Sequence, residues 1–175
     1  MVRLLAPILA YTSNEIWEAM PHLAGQDARH VMLNDMPAVN EAWKLSEEDE
    51  QFWADSLRLR DDVNKALELA RADKIIGKPL EAKVTIHVGD EAREVMDRVR
   101  KQHLEALLIV SEAELAEGAG EGWAGTELPG VTIRVEPSQA PKCPRCWTHS
   151  QTVGQDPDYP ELCARCAAAL KFKAE

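Results

Sequence analysis

The sequence predicts an α+β chain in three successive parts: a helical first half, a small βαββ unit and a four-cysteine tail. Three observations carry this reading. Apolar residues recur at helical spacing through the first half, an alternating apolar segment begins at Ala82, and all four cysteines fall after residue 142. They stand as Cys143-x2-Cys146 and Cys163-x2-Cys166, separated by sixteen residues. Paired C-x-x-C motifs at this separation are the signature of a zinc site, because each turn offers two thiolates to one tetrahedral ion. With four sulfurs bound, no coordination position is left for water or substrate, so the expected Zn²⁺ is single and structural.

In chain order, residues 2–11 form an apolar stretch. Thr12 and Glu15 read as a capping box for a helix that carries Ile16, Trp17, Ala19 and Met20 and stops near Pro21. Residues 24–44 are a Gly/Asp/Pro-punctuated connection. Ser46 caps a long helix with Asp49 in its first turn. Trp53, Leu57, Val63, Leu67 and Ala70 recur along it, and it ends before Gly77 and Pro79. Trp17, Trp43 and Trp53 are expected as core or interdomain anchors.

Ala82–Val88 alternates as a half-buried strand. A helix of about a dozen residues opens at Gly89-Asp90 and runs through His103, with Val95, Met96 and Val99 on one face. Residues 106–110 form a short apolar run expected as a buried strand. Four glycines between 118 and 125 mark a flexible loop around Trp123, and residues 131–135 are the last strand. The expected boundaries are 1–78, 79–137 and 138–175.

Composition narrows the function. The chain has 175 residues, 45% of them hydrophobic, and a net charge of −10. That is enough apolar content for a core and an awkward balance for a nucleic-acid binder. From Ser138 onward five basic residues face four acidic ones, and four thiolates plus Zn²⁺ add −2. Any RNA contact must therefore come from a few placed groups. The sequence contains neither a run of 18 apolar residues nor a secretory leader pattern, and clustered thiols at ligand spacing suit a reducing compartment, so no membrane partner and a cytoplasmic location are expected. No nucleophile–base pair, Gly-rich phosphate loop or second metal motif is visible, so no residue is expected to be catalytic. The acidic run at 47–50 reads as a helix first turn, and His149 as a non-ligand beside a complete cysteine set.

Arg145 and Trp147 flank Cys146. The chemistry leaves two readings open: a ring covering the sulfur cluster beside a solvated guanidinium, or a surface on which an unpaired base stacks and a donor reaches its edge.

Lys142-Cys-Pro-Arg-Cys-Trp147, followed by Leu162-Cys-Ala-Arg-Cys166, closely resembles the C-terminal zinc-binding module of bacterial isoleucyl-tRNA synthetases, with formamidopyrimidine-DNA glycosylases carrying a related finger. Residues 4–17 resemble the helical anticodon-binding domain of that synthetase class. Residues 63–71 and 76–82 resemble the long helix and turn that follow it. Lys78-Pro79 departs from the pattern, where small polar residues are expected; the reading is a stiffer turn with no change of function.

The resemblance implies a C-terminal fragment that begins inside the anticodon-binding domain. The H-I-G-H and K-M-S-K-S signatures are not in the sequence, so ATP enters only through a catalytic domain outside it, and the fragment is not catalytic alone. It implies contact with the anticodon stem-loop of tRNA(Ile), with Arg145 and Trp147 at anticodon-loop nucleotides and Lys142, Lys171 and Lys173 as candidate phosphate contacts. Implied partners are the tRNA and the remainder of the synthetase chain, with self-association through the apolar face of residues 2–20 as a further expectation. The rival functions are a structural zinc module for protein–protein docking and a glycosylase-type DNA-binding finger.

Overall fold

The computed structural model describes residues 1–99 and 103–172. The chain divides into two compact units, Met1–Leu45 and Ser46–Glu175.

In the first unit, helices α1 (Val2–Leu5) and α2 (Ala10–Ala19) surround a small core of Ala6, Trp17 and Val31. The Trp17 indole N–H donates to the Asp27 carbonyl at 3.0 Å, and the ring meets His22 edge-on at 4.7 Å. Asn14 and Asn34 tie the loop down by accepting the N–H groups of Val31 and Asp27. Thr12 lies inside α2, whose N-terminal flank is Leu9, so the expected capping box does not form. An upstream turn carries the chain straight into the helix, with the Ser13 N–H already bonded to the Leu9 carbonyl.

The second unit is built on α3 (Glu47–Ala72) packed against a four-stranded sheet. Ser46 caps α3 as expected: its Oγ accepts the Asp49 N–H at 3.1 Å, with four acidic residues in the first turn favoured by the helix dipole. Leu59, Val63, Ala66, Leu67 and Ala70 form the buried stripe. Trp53 and Leu57 fall off it and are half exposed, and Trp43 in the first unit is exposed, so of the three expected anchors only Trp17 is buried. The reason is phase: Leu59, Val63, Ala66 and Ala70 step by three and four residues, and Trp53 and Leu57 lie outside that stripe.

Strand β1 (Ala82–Val88) is central. It pairs in parallel with β2 (Glu112–Glu117) and antiparallel with β4 (Val131–Pro137), and β3 (Trp123–Ala124) completes the order β2-β1-β4-β3. Ile86 lies opposite Ile133 and Val84 opposite Val135, so the apolar face is continuous across the ladder. Parallel pairing of β1 and β2 requires a crossover. A short 3₁₀ turn at Asp90–Ala92, α4 (Arg93–Val99) and α5 (Leu104–Leu108) lie between them.

Two sequence expectations are corrected here. The apolar run at 106–110, expected as a strand, lies mostly in α5: Leu104 and Leu108, four residues apart, are both buried, and the helix ends where Ile109 turns left-handed at φ 56°. The strand comes later, as β2, whose Glu112, Glu114 and Glu117 disguise an edge strand that rests Ala113 and Leu115 on the core. The glycine-rich loop expected to be flexible is tied to the sheet: the Gly118 N–H bonds the Val88 carbonyl, Trp123–Ala124 pair with β4 and the Gly125 N–H bonds the Val131 carbonyl. Just beyond it the buried Asp62 carboxylate accepts the N–H groups of Thr126, Glu127 and Leu128.

Among the described residues no helix is long and apolar enough to cross a membrane.

Candidate metal centre and nucleic-acid face

The tail folds back on itself around its sulfurs. A bridge between Lys142 and His149 closes a tight hairpin, with the Cys143 N–H bonded to the Thr148 carbonyl at 3.0 Å and the Ser150 N–H to the Pro141 carbonyl at 2.9 Å. Cys143 and Cys146 sit on this turn. Cys163 is the residue before α6 (Ala164–Lys171), and Cys166 lies in the helix's first turn. The hairpin docks on the sheet unit where the His149 N–H donates to Ser111 Oγ at 2.7 Å. The His149 ring donates from Nδ1 to the Ala140 carbonyl at 2.7 Å.

The four Sγ atoms lie within 4.8 Å of one another, with Cys146 and Cys163 at 3.7 Å. Sulfurs at the corners of a tetrahedron about Zn²⁺ are about 3.8 Å apart, given metal–sulfur bonds of about 2.3 Å. The cysteines are thus placed to hold one metal ion with no coordination position left over. Cys143, Cys163 and Cys166 are buried, and Leu162 joins their apolar cluster, with Val153, Tyr159 and Leu170 packed around it. That shell is small, which leaves the ion to supply the folding free energy.

The local field prepares the cluster unevenly. Burial opposes ionisation of Cys146, but the hydroxyl and N–H of Thr148 and the thiols of Cys143 and Cys166 bring it down to about 6. Cys143 is also lowered, against burial, by the backbone N–H groups of Cys146, Cys163 and Arg145. Burial pushes Cys163 up to about 12, and the three neighbouring thiols act in the same direction. Such thiols share their titration, and a divalent ion that takes all four displaces the protons they retain.

Comparison with known proteins agrees with this geometry. A family model described as "Zinc finger found in FPG and IleRS" matches residues 141–169, and one described as "Anticodon-binding domain of tRNA ligase" matches residues 1–86. Isoleucine–tRNA ligase 1 of Oceanobacillus iheyensis is 39% identical over 95% of this chain, and the isoleucine–tRNA ligase of Glaesserella parasuis is 36% identical over all of it. That of Exiguobacterium sibiricum is 40% identical over 97%. The chain belongs to the isoleucine–tRNA ligase family. It spans 17%, 19% and 18%, respectively, of the length of these three relatives. The match over residues 1–86 has no place in a DNA glycosylase, so the glycosylase reading gives way.

In this ligase segment Lys142, Arg145 and Trp147 are all exposed beside the metal turn. Trp147 is 60% exposed and has a left-handed backbone, φ 67°, fixed by its N–H bonding to the Cys143 carbonyl at 2.9 Å. The ring is therefore no lid on the sulfurs. Lys171, expected as a phosphate contact, instead bridges Asp156 at 2.8 Å and Asp158 at 3.0 Å and ties α6 to the loop between the knuckles. Lys173 lies outside the described residues.

Two cations of the ligase segment escaped sequence reasoning. Arg165 lies against the Cys146 sulfur, which raises the guanidinium's pKa. Its signal was the repeated C-x-R-C of both knuckles. Lys78 sits with Nζ 6.0 Å from the centroid of the Trp147 ring. An open cleft of about 570 Å³ separates the finger from α5 and is lined by Cys146, Arg165, Thr148, Leu80 and Ile109.

Proposed function

We propose that this chain supplies the anticodon grip of an isoleucine–tRNA ligase. Zn²⁺ on Cys143, Cys146, Cys163 and Cys166 orders the tail. Trp147 stacks on an unpaired anticodon-loop base, Arg145 donates to that base or its phosphate, and Lys142 pairs with the backbone. The ligand is tRNA(Ile), held so that its acceptor end reaches a catalytic domain elsewhere in the ligase, where ATP is used. Residues 1–78 serve as part of the helical anticodon-binding domain, 79–137 as the junction and 138–175 as the zinc module. Lys173 is a candidate phosphate contact, and Lys171 keeps the structural role its ion pairs give it. The setting is the cytoplasm, where thiolates stay reduced.

The observation that carries the reading is the exposed Trp147 ring, raised beside Arg145 on the metal turn at the expense of a left-handed backbone. Strained backbone positions cluster at active sites and ligand clamps, and an exposed ring is a platform on which a base can stack. A docking module without RNA contact would also need an ordered finger, but not this cation-flanked ring.

The test is aminoacylation of a tRNA(Ile) transcript by a full-length ligase carrying this segment. Trp147→Ala should lower kcat/KM by roughly 1–3 kcal/mol equivalent, the worth of one base stack. An unchanged value would remove Trp147 from the interface. Self-association through the apolar face of residues 2–20, where Leu4, Ile8, Leu9 and Ile16 are exposed, would appear as a concentration-dependent mass in sedimentation.

A further inference from the structure

Lys78 and Trp147 are 69 positions apart, yet they meet. Lys78 precedes a 3₁₀ turn, Pro79–Glu81, between α3 and β1. Pro79 disfavours a helical backbone at the residue before it, and Lys78 is accordingly extended at φ −137°, ψ 151°. Glu81 folds back over the turn, its Oε2 accepting the N–H groups of Gly77 at 2.9 Å and Lys78 at 3.1 Å. The Lys78 side chain is left to reach out, and its ammonium stands over the indole at 6.0 Å, the range of a cation–π contact. Lys142 is the other cation within electrostatic reach of Glu81. Two ammonium groups thus flank one carboxylate that is already engaged with backbone, and the surplus charge is positive beside the exposed ring.

We propose that Lys78 is a further RNA-contact residue of this segment, bracing one face of Trp147 and presenting its ammonium to the phosphate of the nucleotide that stacks on the ring. This rests on the RNA reading above and extends it to a second element of the fold, the α3–β1 turn. The Lys78-Pro79 pair, which departs from the expected small polar residues, is then part of the contact surface and more than a stiffener. Lysine suits this role, since a point charge on a flexible stem can hold the ring when free and a phosphate when bound.

The experiment is fluorescence anisotropy of a dye-labelled tRNA(Ile) transcript titrated with the 175-residue chain, zinc-loaded, at several salt concentrations. Wild type, Lys78→Met, Lys78→Arg and Trp147→Ala are compared after confirming equal zinc content and far-UV spectra. One phosphate contact to a single strand contributes a salt slope of about 0.7, which is about fivefold in affinity at 0.1 M salt. Lys78→Met should therefore bind about fivefold more weakly with a slope shallower by about 0.7, and Lys78→Arg should restore both. In the Trp147→Ala background, Lys78→Met should have a smaller effect than in wild type, because the two act on one nucleotide. Equal affinity and slope for wild type and Lys78→Met would overturn the role of Lys78 and leave the RNA reading standing. No binding by the wild type would overturn the RNA reading and the role of Lys78 with it.

Discussion

The carboxylate of Asp62, midway along α3, accepts the backbone N–H of Leu128 at 2.8 Å, across 66 residues of sequence. The same group takes the N–H of Thr126 at 2.9 Å and of Glu127 at 3.0 Å. One buried side chain therefore closes the loop that delivers β4 to the sheet. Asp62→Ala leaves the buried Leu128 N–H without its partner, while those of the exposed Thr126 and Glu127 can turn to water, and should cost roughly 1–3 kcal/mol in urea unfolding. A loss below about 0.5 kcal/mol would show that the loop finds other partners.

Gly125 tests the same clamp from the other side. A Cβ there would come within 2.7 Å of Asp62 Oδ2 and 2.9 Å of the Leu128 carbonyl. Gly125→Ala should destabilise by about 1–3 kcal/mol, and by less in the Asp62→Ala background because the two share atoms. Full additivity in the double mutant would contradict the geometry.

Trp147 occupies a left-handed position that favours glycine. Trp147→Gly should relieve about 1 kcal/mol of backbone strain, so the metal turn should hold zinc slightly more tightly against a competing chelator. The same substitution should weaken tRNA binding. A variant that loses zinc as well would place the ring in the turn's own folding.

Chelation should release four reactive thiols per chain, counted by titration, and remove a metal contribution on the order of 10 kcal/mol from the tail. Because binding displaces protons from the cysteines, zinc occupancy should fall on acidification. Amide protection in β1 and β4 should survive the loss, since their core contains no sulfur from the cysteines.

Glu81 provides a pH marker of the α3–β1 turn. The N–H groups of Gly77 and then Lys78 hold its carboxyl below the ordinary 4.5, assisted by the Lys142 and Lys78 charges and opposed by burial. The folded value is the lower one, so its stabilisation is present above the ordinary pKa and is lost as pH falls through the folded one. The Gly77 and Lys78 amide resonances should titrate together with a midpoint below 4.5, the ordinary value, and Glu81→Gln should abolish that titration.

Local chemistry was legible in the sequence. The Ser46 cap, strands β1 and β4, and the four-sulfur cluster all announce themselves within a few residues. The Thr12–Glu15 capping box was a local signal that misled, because the turn upstream already starts the helix, and the rest of what was not legible depends on distance along the chain. Glu112–Glu117 looks like a solvated acidic stretch until β1 is beside it, and the apolar run at 106–110 looks like a strand until α5 has a core to face. Lys78 carried a local signal, a departure from the family pattern, but its meaning lies at Trp147. Asp62 carried none, since a lone aspartate on a charged helix is indistinguishable from its solvated neighbours.

The sheet core and the sulfur cluster are separate apolar bodies in one compact unit. A chain starved of zinc, or oxidised at its thiols, therefore keeps a folded scaffold while the turn that carries Trp147 goes slack. Quality-control proteases, which recognise unfolded segments, would meet only a loose tail. Metal scarcity would silence such a molecule before it condemned it.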